Sequence, residues 1–274
     1  MFDTVIEMLS YPFMTRAFLV GSLVALCSAL LGVSLVLKRY SMIGDGLSHV
    51  GFGAMAIAAA MNAAPLTIAI PVVIVAAILL LRISGNAKIK GDAAIALIST
   101  TSLAVGVMVI SLTTGMNTDV YNYMFGSILA MSAEDVKLSL VLSVFVLILF
   151  IVFYHKIFAI TFDETFARAT GVKAGVYNTL IAVLTAVTIV LGMRMMGALL
   201  ISSLIIFPAL TSMRVCRTFK SVIINAAVIS VVCLIAGVTL SYVAATPAGA
   251  SVVLDNLVMM VLYTVVGAVK NHMR

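Results

Sequence analysis

The sequence contains very few charged residues. Asp, Glu, Lys and Arg make up 9% of its 274 residues, whereas about a quarter of the residues in an average soluble domain are charged. Hydrophobic residues account for 64% of the chain, and the mean hydropathy is +1.27. No polar stretch is long enough to fold separately, so we exclude a soluble globular protein and predict one membrane domain over 1–274.

The chain also lacks the motifs of several common chemistries. Cys27, Cys216 and Cys233 are isolated in apolar surroundings, which argues against a disulfide framework or a CxxC metal site and favours packing. No HExxH pair is present, which argues against an intramembrane metalloprotease. No nucleotide-binding motif is present either. The start, MFDTVIEMLS, is acidic and has no small-residue cleavage site, so we expect the first span to be retained.

What the sequence does contain is a series of apolar runs of about 20 residues, each long enough to cross a bilayer as a helix. Short charged or Pro/Gly breaks separate these runs. We expect an all-α, polytopic membrane helical bundle with eight or nine transmembrane helices, at 14–37, 41–62, 65–83, 92–115, 136–158, 175–193, 196–213, 221–245 and 248–269. The segment around the seventh run contains Arg194 and Pro208, so it can be a bent or partial crossing.

The basic residues fall on alternate breaks between these runs. Thirteen of the sixteen Lys and Arg residues can be placed on one side of the membrane, leaving Arg16, Lys137 and Arg194 on the other. Because short loops rich in Lys and Arg stay in the cytoplasm, this side is assigned as cytoplasmic. The net charge of +6 is therefore read as a topology signal, and no nucleic-acid partner is expected.

Two ionisable residues lie inside the second run, in the stretch SMIGDGLSHVGFGA (41–54). Asp45 and His49 are four residues apart, which places them on one face of a helix at a spacing that lets them share a cation. With a helix that starts at Ser41, His49 lies about 12 Å into the membrane, near the midplane. An ionisable residue in a membrane span is a functional candidate by default. The flanking glycines predict either close helix packing or a locally unwound backbone.

Three readings of the pair remain open at this point: metal ligation, a buried hydrogen bond that only ties helices together, and a proton relay. Metal ligation is favoured, although other helices, a second subunit or water must complete the ligand shell. On the outer side, Asp119, Glu134 and Asp135 bracket the segment 120–132. They can attract a cation at the outer mouth, with Asp119 and Glu134 as the candidates, although solvated loop acids are the preferred reading. The methionines near Arg194 are read as core packing.

The longest cytoplasmic insert, 154–175, contains a predicted short helix over 161–173. Thr161 can cap this helix, Asp163 and Glu164 lie in its first turn, and Gly171 can close it. Its spacing places apolar residues, including Phe162 and Phe166, on one side. Such a face suits a docking partner, and a helix that lies on the membrane surface is the alternative.

Taken together, these segments resemble the permeases of ATP-binding cassette importers for zinc, manganese or iron, which are distantly similar in architecture to cobalamin and siderophore permeases. The resemblance covers nearly the whole chain. It rests on LKRYSMIGDGLSHVGFGA (37–54), YNYMFGSILAMS (121–132), FDETFARATGV (162–172), MMGALLISSLIIFPALTSMR (195–214) and TPAGASVVL (246–254). The motif GDGLSHVGFG is closer to permeases associated with zinc than to the GDALSHAVLPG pattern of manganese importers.

The resemblance implies a role for each of two segments. It implies that Asp45 and His49 hold the transported metal, and that 162–171 is a coupling helix that contacts an ATPase. The coupling residues it implies are Phe162, Asp163, Glu164, Phe166, Ala167, Arg168 and Gly171. It further implies a second copy of the permease, two separate ATPase subunits and an extracellular or periplasmic metal-binding protein. The expected location is the bacterial cytoplasmic membrane, in contact with lipid.

The expected function is ATP-driven import of a divalent metal, with Zn²⁺ favoured and Mn²⁺ or Fe²⁺ as alternatives. The transported ion and the ATP on the partner subunit are the only small molecules expected, without a permanently bound cofactor. The expected mechanism is alternating access around Asp45 and His49. A secondary transporter driven by an ion gradient is the rival, but it predicts more ionisable residues within the spans.

Overall fold

A computed structural model describes residues 8, 10–85, 91–113 and 133–272, all of whose regular structure is helical. The helices are α1 (Pro12–Leu37), α2 (Ile43–Ala60), α3 (Pro65–Gly85), α4 (Gly91–Thr113), α5 (Ala133–Val152), α6 (Tyr154–Phe162), α7 (Glu164–Ala169), α8 (Ala174–Met196), α9 (Ala198–Val215), α10 (Phe219–Ala244) and α11 (Ala248–His272). Within these ranges, nine helices are long and apolar enough to span a membrane. The all-helical, polytopic prediction is confirmed.

The seventh run forms a complete membrane-length helix despite its proline. Helix α9 continues through Pro208, which lies inside it. Only Gly197 separates α8 from α9, with φ of 85° and ψ of 162°. That backbone conformation is open almost exclusively to glycine, which explains how two membrane-length helices join through a single residue. The structure therefore favours nine spans over eight.

Helices α1, α2 and α8 form the centre of the bundle, and most of their side chains are buried. Close backbone approaches are possible because small residues lie at the helix contacts. At Gly32 of α1, an added Cβ would collide with the backbone oxygen of Ile205 in α9. The three isolated cysteines are free, and Cys27 and Cys233 are fully buried, in agreement with a packing role.

One end of the bundle collects the basic residues that the sequence assigns to the cytoplasm. Lys38, at the end of α1, contacts Glu164 of α7, and Arg82, at the end of α3, lines the same cavity as Arg168. An excess of Lys and Arg at this end marks it as the cytoplasmic side. This end also carries the short helices α6 and α7, which together replace the single helix expected over 161–173.

The fifth span ends earlier than expected, at Val152 instead of 158. Phe153 interrupts the helix, and the chain continues as α6 to Phe162. Thr161 belongs to α6, where its hydroxyl donates to the backbone oxygen of Ile157 at 2.7 Å. Thr161 therefore does not cap the next helix, and the expectation that it does was wrong.

Candidate metal-transport site

The candidate site lies on α2, whose glycines allow close packing on two sides. Gly46 and Gly53 face α4, where an added Cβ would lie 2.5 Å from Cγ2 of Ile95 and 2.6 Å from the backbone oxygen of Ser102, respectively. Both contacts advance in the same direction along the two helices, so α2 and α4 are parallel, as two spans separated by one crossing must be. The glycines therefore serve helix packing, and the alternative of a locally unwound backbone was wrong because α2 is continuous.

The opposite side of α2 is closed in the same way. An added Cβ at Gly44 would lie 3.0 Å from Cδ1 of Ile205 in α9, and one at Gly51 would lie 2.7 Å from Cε of Met193 in α8. Successive residues of a helix are about 100° apart around its axis, so Asp45 lies between these two packed faces. His49, four residues later, lies on the same intervening face.

The two side chains remain accessible on this face. Nε2 of His49 lies 3.8 Å from Oδ2 of Asp45, and the side chains are 24% and 46% exposed, respectively. This separation is too long for a hydrogen bond. Neither side chain makes a hydrogen bond to any other residue in the described part of the chain. The arrangement therefore argues against a buried hydrogen bond that only ties helices together.

The geometry is close to that of two ligands on one ion. Two ligand atoms at about 2.1 Å from a tetrahedral ion are about 3.4 Å apart, so a small side-chain rotation would bring this oxygen and nitrogen onto one metal. Asp45 is also in the first turn of α2, where the helix dipole favours a carboxylate. Among the described residues, however, no third His, Cys, Asp or Glu joins the pair. One protomer thus offers an incomplete ligand set.

The pair lies closer to the start of its helix than the sequence suggested. Helix α2 starts at Ile43 and not at Ser41. At about 1.5 Å per residue, Asp45 is about 3 Å and His49 about 9 Å from the start of an 18-residue helix. His49 therefore lies about a third of the way along α2, about 3 Å closer to its start than a helix from Ser41 implies, and its position near the midplane stays a prediction.

A second candidate feature is α7, a six-residue helix with its own cap. Asp163 has an extended backbone and its Oδ1 accepts a hydrogen bond from the backbone NH of Phe166 at 2.9 Å. This is the N-cap arrangement that starts a helix. Gly171, with φ of 85°, turns the chain after α7. Helix α7 is thus shorter than the predicted 161–173, but its carboxylate start and glycine end agree with the sequence.

A charged network attaches α7 to the membrane bundle. Nζ of Lys38 donates to the backbone oxygen of Ile160 at 3.0 Å, to Oε2 of Glu164 at 3.3 Å and to Oδ1 of Asn178 at 2.6 Å. Glu164 also accepts from Asn178 at 3.0 Å and from Arg168 at 2.6 Å. The network therefore joins the end of α1, the short helices and the start of α8. No motif in the sequence indicated this role for Lys38 or Asn178.

The network changes the titration of its members. Burial alone would raise the pKa of Glu164, but the hydrogen bonds from Asn178 and Arg168 and the charge of Lys38 bring it below its ordinary value. Burial lowers the pKa of Lys38, and the charge of Glu164 opposes that change. The ion pair is partly removed from water, since the side chains of Lys38 and Glu164 are 11% and 33% exposed.

The exposed face beside this network is aromatic. Phe162 and Phe166 are 59% and 65% exposed. The sequence predicted that they share one helix, and this was wrong. Phe162 is the last residue of α6 and packs against Phe158 and Phe219, whereas Phe166 belongs to α7. Ala167 points inward and is fully buried, so it cannot contribute to an exposed contact surface.

The acidic residues predicted for the outer side of the bundle differ in their surroundings. Asp119 and the segment 121–132 lie outside the described residues. Glu134 is exposed in the first turn of α5. Asp135 is not a solvated loop acid, because its Oδ2 lies 3.8 Å from Nη2 of Arg194 in the last turn of α8. The neighbouring Met193, Met195 and Met196 are buried, as a packing role requires.

Sequence reasoning missed a further acidic residue within the spans. Asp255 lies seven residues into α11, about 10 Å from its outer end, and is partly buried. Its carboxylate makes no hydrogen bond or ion pair with the residues that the structure describes. The signal was available, since Asp255 is the one acid in the apolar run 248–269. It qualifies as a candidate by the same criterion that selected Asp45.

The family follows from comparison with known proteins. A model of the "ABC 3 transport family" matches residues 10–267. The chain belongs to this family. It is therefore the transmembrane permease of an ATP-binding cassette importer for a divalent metal, and ATP is hydrolysed on a separate subunit. The prediction of a multi-pass membrane permease of a bacterial importer is confirmed.

Two relatives illustrate the range of metals. The permease is 30% identical over 246 residues to the high-affinity zinc uptake system membrane protein ZnuB of Haemophilus influenzae, with 90% of this chain and 94% of that protein covered. It is 28% identical over 248 residues to the manganese transport system membrane protein MntC of Halalkalibacterium halodurans, with 90% and 85% covered.

A solved structure is also similar to the permease. PsaBC from Streptococcus pneumoniae in complex with Fab contains a chain that matches with a TM-score of 0.86 and 27% identity, covering 96% of this chain and 95% of that one. The relatives do not distinguish zinc from manganese.

Proposed function

We propose that this permease imports Zn²⁺ and that Asp45 and His49 bind the ion during its passage. The observation that carries the proposal is the separation of 3.8 Å between a carboxylate oxygen and an imidazole nitrogen, both accessible and free of hydrogen bonds to the described residues. An oxygen and a nitrogen ligand suit Zn²⁺ well and Mn²⁺ acceptably. The motif GDGLSHVGFG supports the choice of zinc. The identities of 30% to a zinc uptake permease and 28% to a manganese permease are too similar to separate the two ions, so Mn²⁺ is the alternative.

A second copy of the chain would complete the ligand set. Two ligands are too few for stable binding of Zn²⁺, which takes four in most protein sites. In a two-fold dimer the partner contributes the same pair, so two Asp and two His ligands can converge on one axis. Incomplete ligation within each protomer also suits transport, because an ion in a pathway must be released again.

ATP hydrolysis would act through α7. The exposed Phe162 and Phe166 provide an apolar contact for the ATPase subunit, while Lys38 and Glu164 connect α7 to the bundle. Two ATPase subunits and an external metal-binding protein complete the proposed assembly. Closing and opening of the ATPase pair would then move α7 and alternate access to the site.

Uptake of radioactive Zn²⁺ by cells or proteoliposomes tests the metal site. Asp45→Asn and His49→Gln keep the side-chain size and remove a ligand atom, and each is expected to reduce uptake by more than about tenfold. His155→Gln changes an exposed imidazole on α6 and serves as the control. Co-purification with the ATPase subunit checks assembly. Uptake at the wild-type rate in both assembled variants would refute the metal site, and a preference for Mn²⁺ in competition would reassign the substrate.

A further inference from the structure

A cavity of about 790 Å³ opens at the cytoplasmic end of the bundle, away from the candidate metal site. It lies between the end of α3 and the start of α8 and is bounded by Tyr40, Arg82 and Arg168. A narrow slot that shares Tyr40 with this cavity is lined by Ile43 of α2. Ile43 and Asp45 are two residues apart and point about 200° apart around the helix. The cavity and the metal site therefore lie on different sides of α2.

The charged groups around this cavity are predominantly basic. Arg82 and Arg168 line it together with one carboxylate, that of Glu164, which is already bound by Arg168 and by Lys38. The side chain of Arg82, in the last turn of α3, makes no hydrogen bond or ion pair within the described ranges. An arginine at the cytoplasmic membrane surface whose side chain has no partner among the described residues is suited to a phosphate, which its guanidinium can bind through two parallel hydrogen bonds.

The same cavity has an apolar side that continues into the membrane. Val72, Val75, Leu79 and Arg82 follow each other at intervals of three or four residues and form one exposed stripe on α3. Ile78 and Leu81 extend this surface into the cavity. Burial, and then the negative charge of Glu164, raises the pKa of Tyr40. The Tyr40 hydroxyl, at the polar end of the cavity, therefore remains a hydrogen-bond donor.

We propose that this cavity binds an anionic phospholipid of the cytoplasmic leaflet, with its phosphate at Arg82 and its acyl chains along the exposed stripe of α3. Only an amphiphile matches both the charged Arg82 and the apolar stripe, because the stripe lies within the span Pro65–Ile83 and is out of reach of a water-soluble ligand. Basic cavities between transmembrane helices on the cytoplasmic side have the chemistry that recognises anionic headgroups. The volume lies within the range of small-molecule sites.

Native mass spectrometry of the full-length permease in neutral detergent tests the proposal. Phosphatidylglycerol, phosphatidylcholine and inorganic phosphate are added in separate arms. We expect bound phosphatidylglycerol to exceed phosphatidylcholine and to resist competition by inorganic phosphate. Arg82→Gln should reduce phosphatidylglycerol binding about fivefold, as expected for one Arg near an anionic headgroup. Arg217→Gln, which changes an exposed cytoplasmic arginine between α9 and α10, should leave binding unchanged.

A second variant tests the cavity without changing its charge. Gly175 lines the cavity in the first turn of α8, and an added Cβ there meets no atom within 4 Å. Gly175→Phe can therefore fill the space without displacing the helix, and it should also reduce phosphatidylglycerol binding. Wild-type binding by Arg82→Gln, equal binding of the two lipids or full competition by phosphate would each overturn the proposal. So would a dimer contact in which a second permease copy occupies the cavity.

Discussion

Replacement of Lys38 by methionine should separate ATP hydrolysis from metal transport. Lys38 is only 11% exposed, and its ammonium is the shared donor to Ile160, Glu164 and Asn178. Methionine keeps much of the apolar stem but removes all three hydrogen bonds. The change therefore loosens the connection between α7 and the membrane helices while leaving the exposed Phe162 and Phe166 in place for an ATPase.

The expected loss of stability is about 2 kcal/mol. A hydrogen bond to a charged group contributes about 1.5–3 kcal/mol, and a buried acceptor left without a donor costs about 1–3 kcal/mol. Two effects reduce the sum: Glu164 keeps its bonds to Arg168 and Asn178, and the burial of an ammonium, which itself costs free energy, is relieved. The residual penalty falls mainly on the oxygens of Ile160 and Asn178.

Two measurements check this prediction on the purified complex with its ATPase. The melting temperature in detergent should fall, and the number of ATP molecules hydrolysed per ion imported should rise. Arg39→Met is the matched control, since Arg39 is the adjacent basic residue, is exposed, and has a side chain that makes no hydrogen bond or ion pair within the described ranges. If Lys38→Met matched this control in both stability and coupling ratio, the network would have no mechanical role.

Two further predictions concern packing and pH. Gly53→Ala should lower the free energy of unfolding by about 1–3 kcal/mol, because the added Cβ would lie 2.6 Å from the backbone oxygen of Ser102. Gly175→Ala is the control and should be neutral or stabilising, because no atom lies within 4 Å of its Cβ. Thermal unfolding of the two variants measures the difference. Wild type should be more stable than Glu164→Gln at about pH 7, and this difference should disappear as the pH falls from 4.5 through the lowered pKa of Glu164 in the folded protein. The reason is that a carboxylate with a lowered folded pKa stabilises the fold only while it is charged. If melting curves of the two proteins show no such decrease, the network does not stabilise the fold.

The sequence was sufficient to predict the membrane helices because their signal is local. Each span is a continuous apolar run, and hydropathy together with helix length determines it regardless of its neighbours. The pair of Asp45 and His49 was predictable for the same reason, since i and i+4 positions share a face in any helix. The first residue of its helix was harder to predict because the start of α2 depends on the turn around Arg39, which has a positive φ of 61°.

The cytoplasmic helices were predicted less well because two caps compete within a few residues. Thr161 and Asp163 are both capping residues, and the sequence alone favoured the first. In the fold, Thr161 is buried and its hydroxyl returns to Ile157, while Asp163 takes an extended backbone and begins α7. The role of Lys38 could not be predicted either, because its partners are more than 120 residues away in sequence.

These distant partners give the proposed coupling a continuous physical path to the metal site. Lys38 ends α1, and a short connection leads from it to α2, where Asp45 lies in the first turn. The same ammonium binds the end of α6, the first residue of α7 and the first turns of α8. A displacement of α7 by an ATPase would therefore reach the base of α2 directly, without relying on deformation of the bundle core. Because interior packing resists continuous deformation, such a displacement is expected to move α2 as a rigid helix, carrying Asp45 and His49 together.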